Sequence, residues 1–320
     1  MGRCTLATMN EQNLPSVILV PGLWLGGWAW DDVAAFLPHD TMSVVALTLP
    51  GLESQTALRD GIHLADHVGA LVDAIRKATG PVILVVHSGA GALASAALDQ
   101  TCDKVRRVVY VDTGPVADGT IARPDLPPDT TEVPLPPWTE LETGGASLAG
   151  LSQEMLQRFQ ARAVPHPAGP LLEPVRLTNP ARNQVPATVV CCSVPSAIVR
   201  QLADTDGMFA LLKDLTDLTY TDLPTGHWPL WSAPQGLADI IAQATTPPRL
   251  RRLRRRPARP GRHHRPGHAR LTTRESLDGP TAVSDNRIGE ATSAKSAPCT
   301  SMWPRSGWQP ARSCSNVDGC

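Results

Sequence analysis

No run of about 20 uninterrupted apolar residues occurs in the chain, so no membrane-spanning helix is expected. The first residues carry no basic stretch followed by an apolar core and a cleavage site, hence no secretory leader is expected. The apolar stretch 16–30 is broken by Pro21, Gly22, Gly26 and Gly27 and should be a strand and a turn. The seven cysteines are scattered. None has the paired spacing of a metal site, so no metal is expected, and reduced thiols in the cytoplasm are the natural expectation. Cys191 and Cys192 stand inside an apolar run, where they should behave as small buried hydrophobes. The segment 115–186 contains no lysine, and the stretch Ser193-Val-Pro-Ser-Ala-Ile has no carboxylate.

Net charge is also nearly absent, at −1, but the total conceals an asymmetry. Residues 246–320 hold 15 Lys and Arg against 5 Asp and Glu, leaving 14 and 25 in the first 245 residues. An acidic body, residues 1–245, and a basic tail, residues 246–320, are expected. The tail is rich in Arg, Pro, Ser and Gly, lacks hydrophobic periodicity and is expected to be disordered. Arg249 to Arg256 could contact nucleic acid or an anionic surface, but a solvated tail with no nucleic-acid partner is preferred.

What the body does have is short apolar runs alternating with longer amphipathic ones. Strands are expected at 17–20, 43–49, 82–86, 107–111 and 186–193, and a sixth begins at 218–220. Helices are expected at 28–37, 64–79, 91–100 and 235–244. The run at 82–86 is almost wholly β-branched or Leu, as in a strand covered on both faces. Strands separated by helices imply a mostly parallel sheet with helices on both faces. Between 115 and 186 the pattern breaks into a Pro-, Thr- and Glu-rich segment with one clear helix at 151–162. A small cap insertion over the C-terminal edge of the sheet is expected.

Three motifs carry chemistry. In Val82-Ile-Leu-Val-Val-His-Ser88-Gly-Ala-Gly-Ala92 a strand runs into a serine among small residues and then into an Ala-rich helix. A turn this tight exposes a hydroxyl, and the helix N-terminus behind it offers N–H groups to developing negative charge. In Thr219-Tyr-Thr-Asp-Leu-Pro-Thr-Gly-His227 a short strand leads to a Gly-His pair far downstream. A serine hydroxyl needs such a base within reach to become a good nucleophile. In Ile18-Leu-Val-Pro21-Gly22-Leu23 the first strand ends in a tight turn. Together these resemble the α/β-hydrolase superfamily over residues 15–244, and the Leu49-Pro-Gly51 turn and the Trp-rich stretch from Trp24 to Trp30 look similar to its small esterase-like and hydroxynitrile-lyase-like members. The match departs from G-x-S-x-G, with Val86 and Ala90 where glycines are usual. The resemblance implies an α/β-hydrolase fold, Ser88 as nucleophile, His227 as base, the backbone N–H groups of Leu23 and Gly89 as the oxyanion hole, a small-molecule substrate and no cofactor.

The acid that would orient His227 is displaced. Relatives usually carry it after the strand that is here 187–193, where no carboxylate stands. Asp112, at the end of the strand 107–111, is the leading candidate. Asp204 with Asp206 is the second, and a chain with no working acid the third. His87 is expected to be structural. His63 and His67, four apart, are expected on a solvated helix face. Trp138, Trp228 and Trp231 should pack the core or line a pocket.

The favoured activity is cleavage of an ester or related acyl bond of a small apolar substrate. The alternatives are a hydroxynitrile-lyase-like reaction, which needs a cation near the pocket, and a non-catalytic small-molecule-binding protein on the same fold.

Overall fold

The computed structural model describes residues 14–204 and 209–246. The expected tail therefore lies almost wholly outside the described residues, as does Asp206. Six parallel strands, β1 (Ser16–Val20), β2 (Ser43–Ala46), β3 (Val82–His87), β4 (Val105–Val111), β7 (Ala187–Cys191) and β8 (Leu218–Asp222), form one sheet in the order β2-β1-β3-β4-β7-β8. Two short strands, β5 (Glu132–Val133) and β6 (His166–Pro167), pair antiparallel in the insertion. The intervening helices are α1 (Asp31–Ala34), α2 (Leu64–Lys77), α3 (Ala90–Thr101), α4 (Trp138–Thr143), α5 (Gln153–Arg162), α6 (Gly169–Leu172), α7 (Ser196–Ala203), α8 (Pro229–Ser232) and α9 (Pro234–Thr245).

The strand order reverses direction between β1 and β3. In an open parallel sheet the crevice outside the C-terminal ends of the strands at such a point is where ligands bind. Both faces of the sheet are covered, which explains why β3 reads as a continuous apolar run. Val82, Leu84 and Val86 pack with Val68, Leu71 and Ile75 of α2 and with α3. Ile83 and Val85 pack on the opposite side with Val33 of α1 and Leu237 and Ile241 of α9. Val86, the bulky departure from the glycine pattern, thus points into the core beneath the helices, and the turn after it forms nonetheless.

Helix α3 is Ala-rich because it is squeezed. Gly91 lies so near the end of β4 that a Cβ there would come within 2.4 Å of the Gly114 carbonyl oxygen. Residues 28–37 form less helix than the spacing suggests, a 3-10 turn at Gly27–Trp30 followed by the single turn of α1. The helix expected at 64–79 ends at Lys77 and is capped at its start, the His63 N–H donating to Asp66 Oδ2 at 2.8 Å. Gly69 sits exposed in the middle of α2, with open space where a Cβ would go. Gly69→Ala should therefore raise stability by about 1 kcal/mol, read as a higher urea midpoint at unchanged slope. An unchanged midpoint would mean that the helix gains nothing from a better helix former at that site.

Candidate active site

The turn after β3 is strained where a hydroxyl must be presented. Ser88 has φ +53°, a left-handed conformation that costs a non-glycine residue energy. Its N–H donates to the Val111 carbonyl of β4 at 3.2 Å, and α3 begins two residues later. Asp112, directly beyond β4, is also left-handed, at φ +49°. Its N–H donates to the Val190 carbonyl of β7 at 3.0 Å. Two neighbouring strand tops are thus bent in the same way, and each aims a polar side chain over the sheet edge.

His227 meets both. Its Nδ1–H donates to Asp112 Oδ2 at 2.6 Å, and its Nε2 accepts from Ser88 Oγ at 2.7 Å. One tautomer of a neutral imidazole satisfies both contacts. The side chains of His227 and Asp112 are only 5% and 4% exposed, so the pair is shielded from water. The other Asp112 contacts come from β7: Oδ1 accepts from the N–H groups of Cys192 at 3.1 Å and Ser193 at 3.0 Å, and Oδ2 accepts from Ser193 Oγ at 2.6 Å. Burial alone would raise the carboxyl's pKa. The hydrogen bond and charge of His227 and the Ser193 donors outweigh it and hold the group below its usual value. The Asp112 carboxyl is therefore an ionised acceptor.

The Gly22-Leu23 turn after β1 abuts this group. A Cβ on Gly22 would lie 2.9 Å from Ser88 Cβ, and one on Gly89 would lie 2.9 Å from Leu23 Cδ2. Among the described residues neither the Leu23 N–H nor the Gly89 N–H has a protein acceptor. Above Ser88 and His227 opens a cavity of about 400 Å³, walled by Leu23, Trp24, Leu135, Leu141 and Trp228. Arg123 also lines it, but Asp125 takes its Nε and Nη2 donors at 2.9 and 2.7 Å. Among the described residues no three His, Cys, Asp or Glu side chains gather to hold a metal, and no helix is long and apolar enough to cross a membrane.

The structure gathers Ser88, His227, Asp112, Leu23 and Gly89 at one place. Asp204 caps the C-terminus of α7 instead. One expectation needs correction. His63 is exposed and pairs with Glu173, but His67 is buried, 3% exposed, and its Nε2–H donates to the Pro50 carbonyl at 2.9 Å. It lies on the same face of α2 as Leu71, and stacks edge-on against His166 of the cap. Of the tryptophans, Trp228 lines the cavity, Trp231 is buried with its Nε1–H on the Ala29 carbonyl at 3.0 Å, and Trp138 packs against Phe159. Sequence inspection missed Ser193 as a partner of Asp112, and the cavity residues Trp24, Arg123 and Asp125. The closely spaced Arg123 and Asp125 were the only local signal.

Known proteins resemble this chain in sequence and in fold. A carbendazim hydrolyzing esterase from Nocardioides sp. (strain SG-4G) is 31% identical over 101 residues, 31% of this chain and 42% of that protein. The chain thus spans less than half of that relative's length. A probable hydrolase R7 from Phoma sp. (strain ATCC 20986 / MF5453) is 25% identical over 243 residues, 72% of this chain and 97% of that one. Among solved structures, an extracellular alpha/beta-hydrolase from a Paenibacillus species superposes with a TM-score of 0.57 at 19% identity, covering 72% of this chain and 98% of its own. That likeness speaks for the fold alone. The model of the alpha/beta hydrolase family matches residues 17–240, the sheet and cap that carry the site, and the chain belongs to that family.

Proposed function

We propose that the protein is a serine hydrolase that cleaves an ester or related acyl bond of a small, uncharged, largely apolar substrate. The observation that carries this is the unbroken hydrogen-bond chain from Ser88 Oγ through His227 to Asp112, with links of 2.7 and 2.6 Å. Ser88 Oγ attacks the carbonyl carbon while its proton passes to His227 Nε2. The carbonyl oxygen becomes an oxyanion facing the N–H groups of Leu23 and Gly89. His227 returns the proton to the departing alkoxide, which leaves as an alcohol, and the acyl group stays on Ser88. Water then attacks with His227 as base, releasing the acid and restoring the serine. Asp112 orients His227 throughout and offsets its charge when protonated. The three described cysteines, Cys102, Cys191 and Cys192, are free thiols, which fits the cytoplasmic setting expected from the sequence.

The esterase-named relative supports acyl cleavage, and the apolar cavity supports an apolar substrate. A lyase that stabilises an anionic leaving group needs an uncompensated cation at the pocket. Arg123 is the cation present, and Asp125 already neutralises it, which weighs against that chemistry. A fluorophosphonate probe tests the proposal directly. The intact protein should be labelled once, and Ser88→Ala should not be labelled at all. A folded wild-type protein that resists the probe would leave a binding role on the same fold.

A further inference from the structure

His87 has no part in the reaction just described, yet it is a fully buried imidazole next to the nucleophile. Its Nε2 lies 2.7 Å from the main-chain carbonyl oxygen of His227. A carbonyl oxygen only accepts, so Nε2 carries the proton and donates. Nδ1 is then a bare acceptor, and among the described residues it has no partner. It is pressed against Gly22, where an added Cβ would approach it to 3.1 Å. A buried acceptor without a donor works against stability. An apolar ring of similar size would fill the space without that cost. What the imidazole provides, and an apolar ring could not, is the N–H to His227.

That bond acts on a loop whose start is tied to β7, the Leu223 N–H donating to the Cys191 carbonyl at 2.9 Å, and whose Gly226-His227 end is held by the cap. The His227 N–H donates to the Ser147 carbonyl at 2.7 Å, and the Gly226 N–H to the Ala149 carbonyl at 3.0 Å. Gly226 is packed there so closely that a Cβ would come within 2.4 Å of Ala149 O. Both of those anchors belong to the cap. Through them the position of residues 147–149 bears on the His227 main chain. The His87 bond runs instead to β3, the strand that also carries Ser88, so nucleophile and base share one rigid support.

We infer that His87 is a positioning residue, whose Nε2–H ties the His227 main chain to β3 and so keeps His227 Nε2 in register with Ser88 Oγ. The inference rests on the proposed triad. The His87 and His227 rings are 5.0 Å apart between centroids, so a charged His87 would oppose protonation of His227 during the reaction. Burial, with the neighbouring His227 adding to it, pushes the His87 pKa down to about 3. His87 is therefore neutral throughout the pH range in which a His base operates.

Three variants test this. In His87→Gln the amide nitrogen can occupy the Nε2 position and keep the donor. In His87→Asn the amide is too short to reach, and His87→Phe removes the donor altogether. Two readouts are followed: the downfield proton NMR resonance of the His227 Nδ1–H held by Asp112, and the rate at which the fluorophosphonate labels Ser88. We expect the resonance to persist in the wild type and in His87→Gln, and to be lost or shifted in His87→Asn and His87→Phe. Labelling should slow about 100-fold in those two and stay within about threefold of wild type in His87→Gln, the order of loss that misplacing a catalytic group by about 1 Å produces. A lower melting temperature alone would move neither readout. The smaller, polar Asn variant decides the matter if Phe prevents folding. An unshifted resonance with wild-type labelling in His87→Asn would overturn the inference, as would a Gln variant as slow as Phe. If the wild type shows the resonance but takes no label, the hydrolase proposal fails, while the resonance comparison still decides the role of His87.

Discussion

Asp112→Asn is expected to slow acylation of Ser88 about 10,000-fold, the scale set by the equivalent change in a well-studied serine protease, while the protein stays folded. The size of the effect follows from which atom each neighbour requires. Asp112 Oδ1 accepts two backbone N–H groups, from Cys192 and Ser193. An asparagine must place its carbonyl oxygen there, because its NH2 cannot accept. Its NH2 then falls at the Oδ2 position, 2.6 Å from His227 Nδ1. Facing a donor, Nδ1 must give up its proton and become the acceptor. The proton of a neutral imidazole then sits on Nε2, which points at Ser88 Oγ. An Nε2 that already carries a proton cannot take one from the serine. The geometry survives while the chemistry stops. The rate of fluorophosphonate labelling measures this, with circular dichroism to confirm the fold. Labelling within tenfold of the wild type would show that Asp112 does not set the His227 tautomer.

The parts of this site that were legible in the sequence are those encoded over a few consecutive residues. The run Val82 to Val86 has one apolar residue after another because both faces of β3 are buried, and the small residues after Ser88 are what permit the turn. Asp112 was visible as a carboxylate at a strand end, and His227 as a Gly-His pair in a loop beyond the last strand. The displaced acid is also intelligible once β4 and β7 are seen side by side. In place of a carboxylate, the top of β7 supplies the N–H groups and the Ser193 hydroxyl that bind Asp112 from across the sheet. Much of what was not legible depends on partners distant in the sequence, as Ser193 is from Asp112 by 81 residues. Trp24 joins the cavity through its bond to Val133 of the cap, 109 residues on. His87 and His227 are 140 residues apart. His67 was expected on a solvated helix face with His63, but the spacing of four does not tell that His63 is the extended N-cap residue before α2 while His67 lies inside the helix on its buried face. Apart from α5, the ten-residue helix expected at 151–162, the cap is built from one- and two-turn helices and two-residue strands, too short for hydrophobic periodicity to reveal.

Gly22→Ala should damage the site from the opposite side, by sterics alone. Position 22 lies just beyond β1, which runs parallel to β3 with Val20 paired to Val86, so the register carries residue 22 alongside Ser88. The backbone there is not in the left-handed region, and it is space that is lacking. An added methyl would meet Ser88 Cβ at 2.9 Å, His87 Nδ1 at 3.1 Å and the His87 carbonyl oxygen at 3.3 Å. Neither His87 nor Ser88 can yield, because β3 is packed on both faces and His87 is tied to His227. The turn 21–23 must move instead, and with it the Leu23 N–H proposed to hold the oxyanion. A shift of that kind should slow labelling about 100-fold, and overpacking should cost about 1–3 kcal/mol of stability. Comparison with Gly69→Ala, the same substitution in open space, separates the two effects. If Gly22→Ala loses stability yet labels at the wild-type rate, the first turn is only packing and the Leu23 N–H does not serve the oxyanion. If labelling falls while the midpoint barely changes, the turn is held where it is for the reaction and contributes little to the fold.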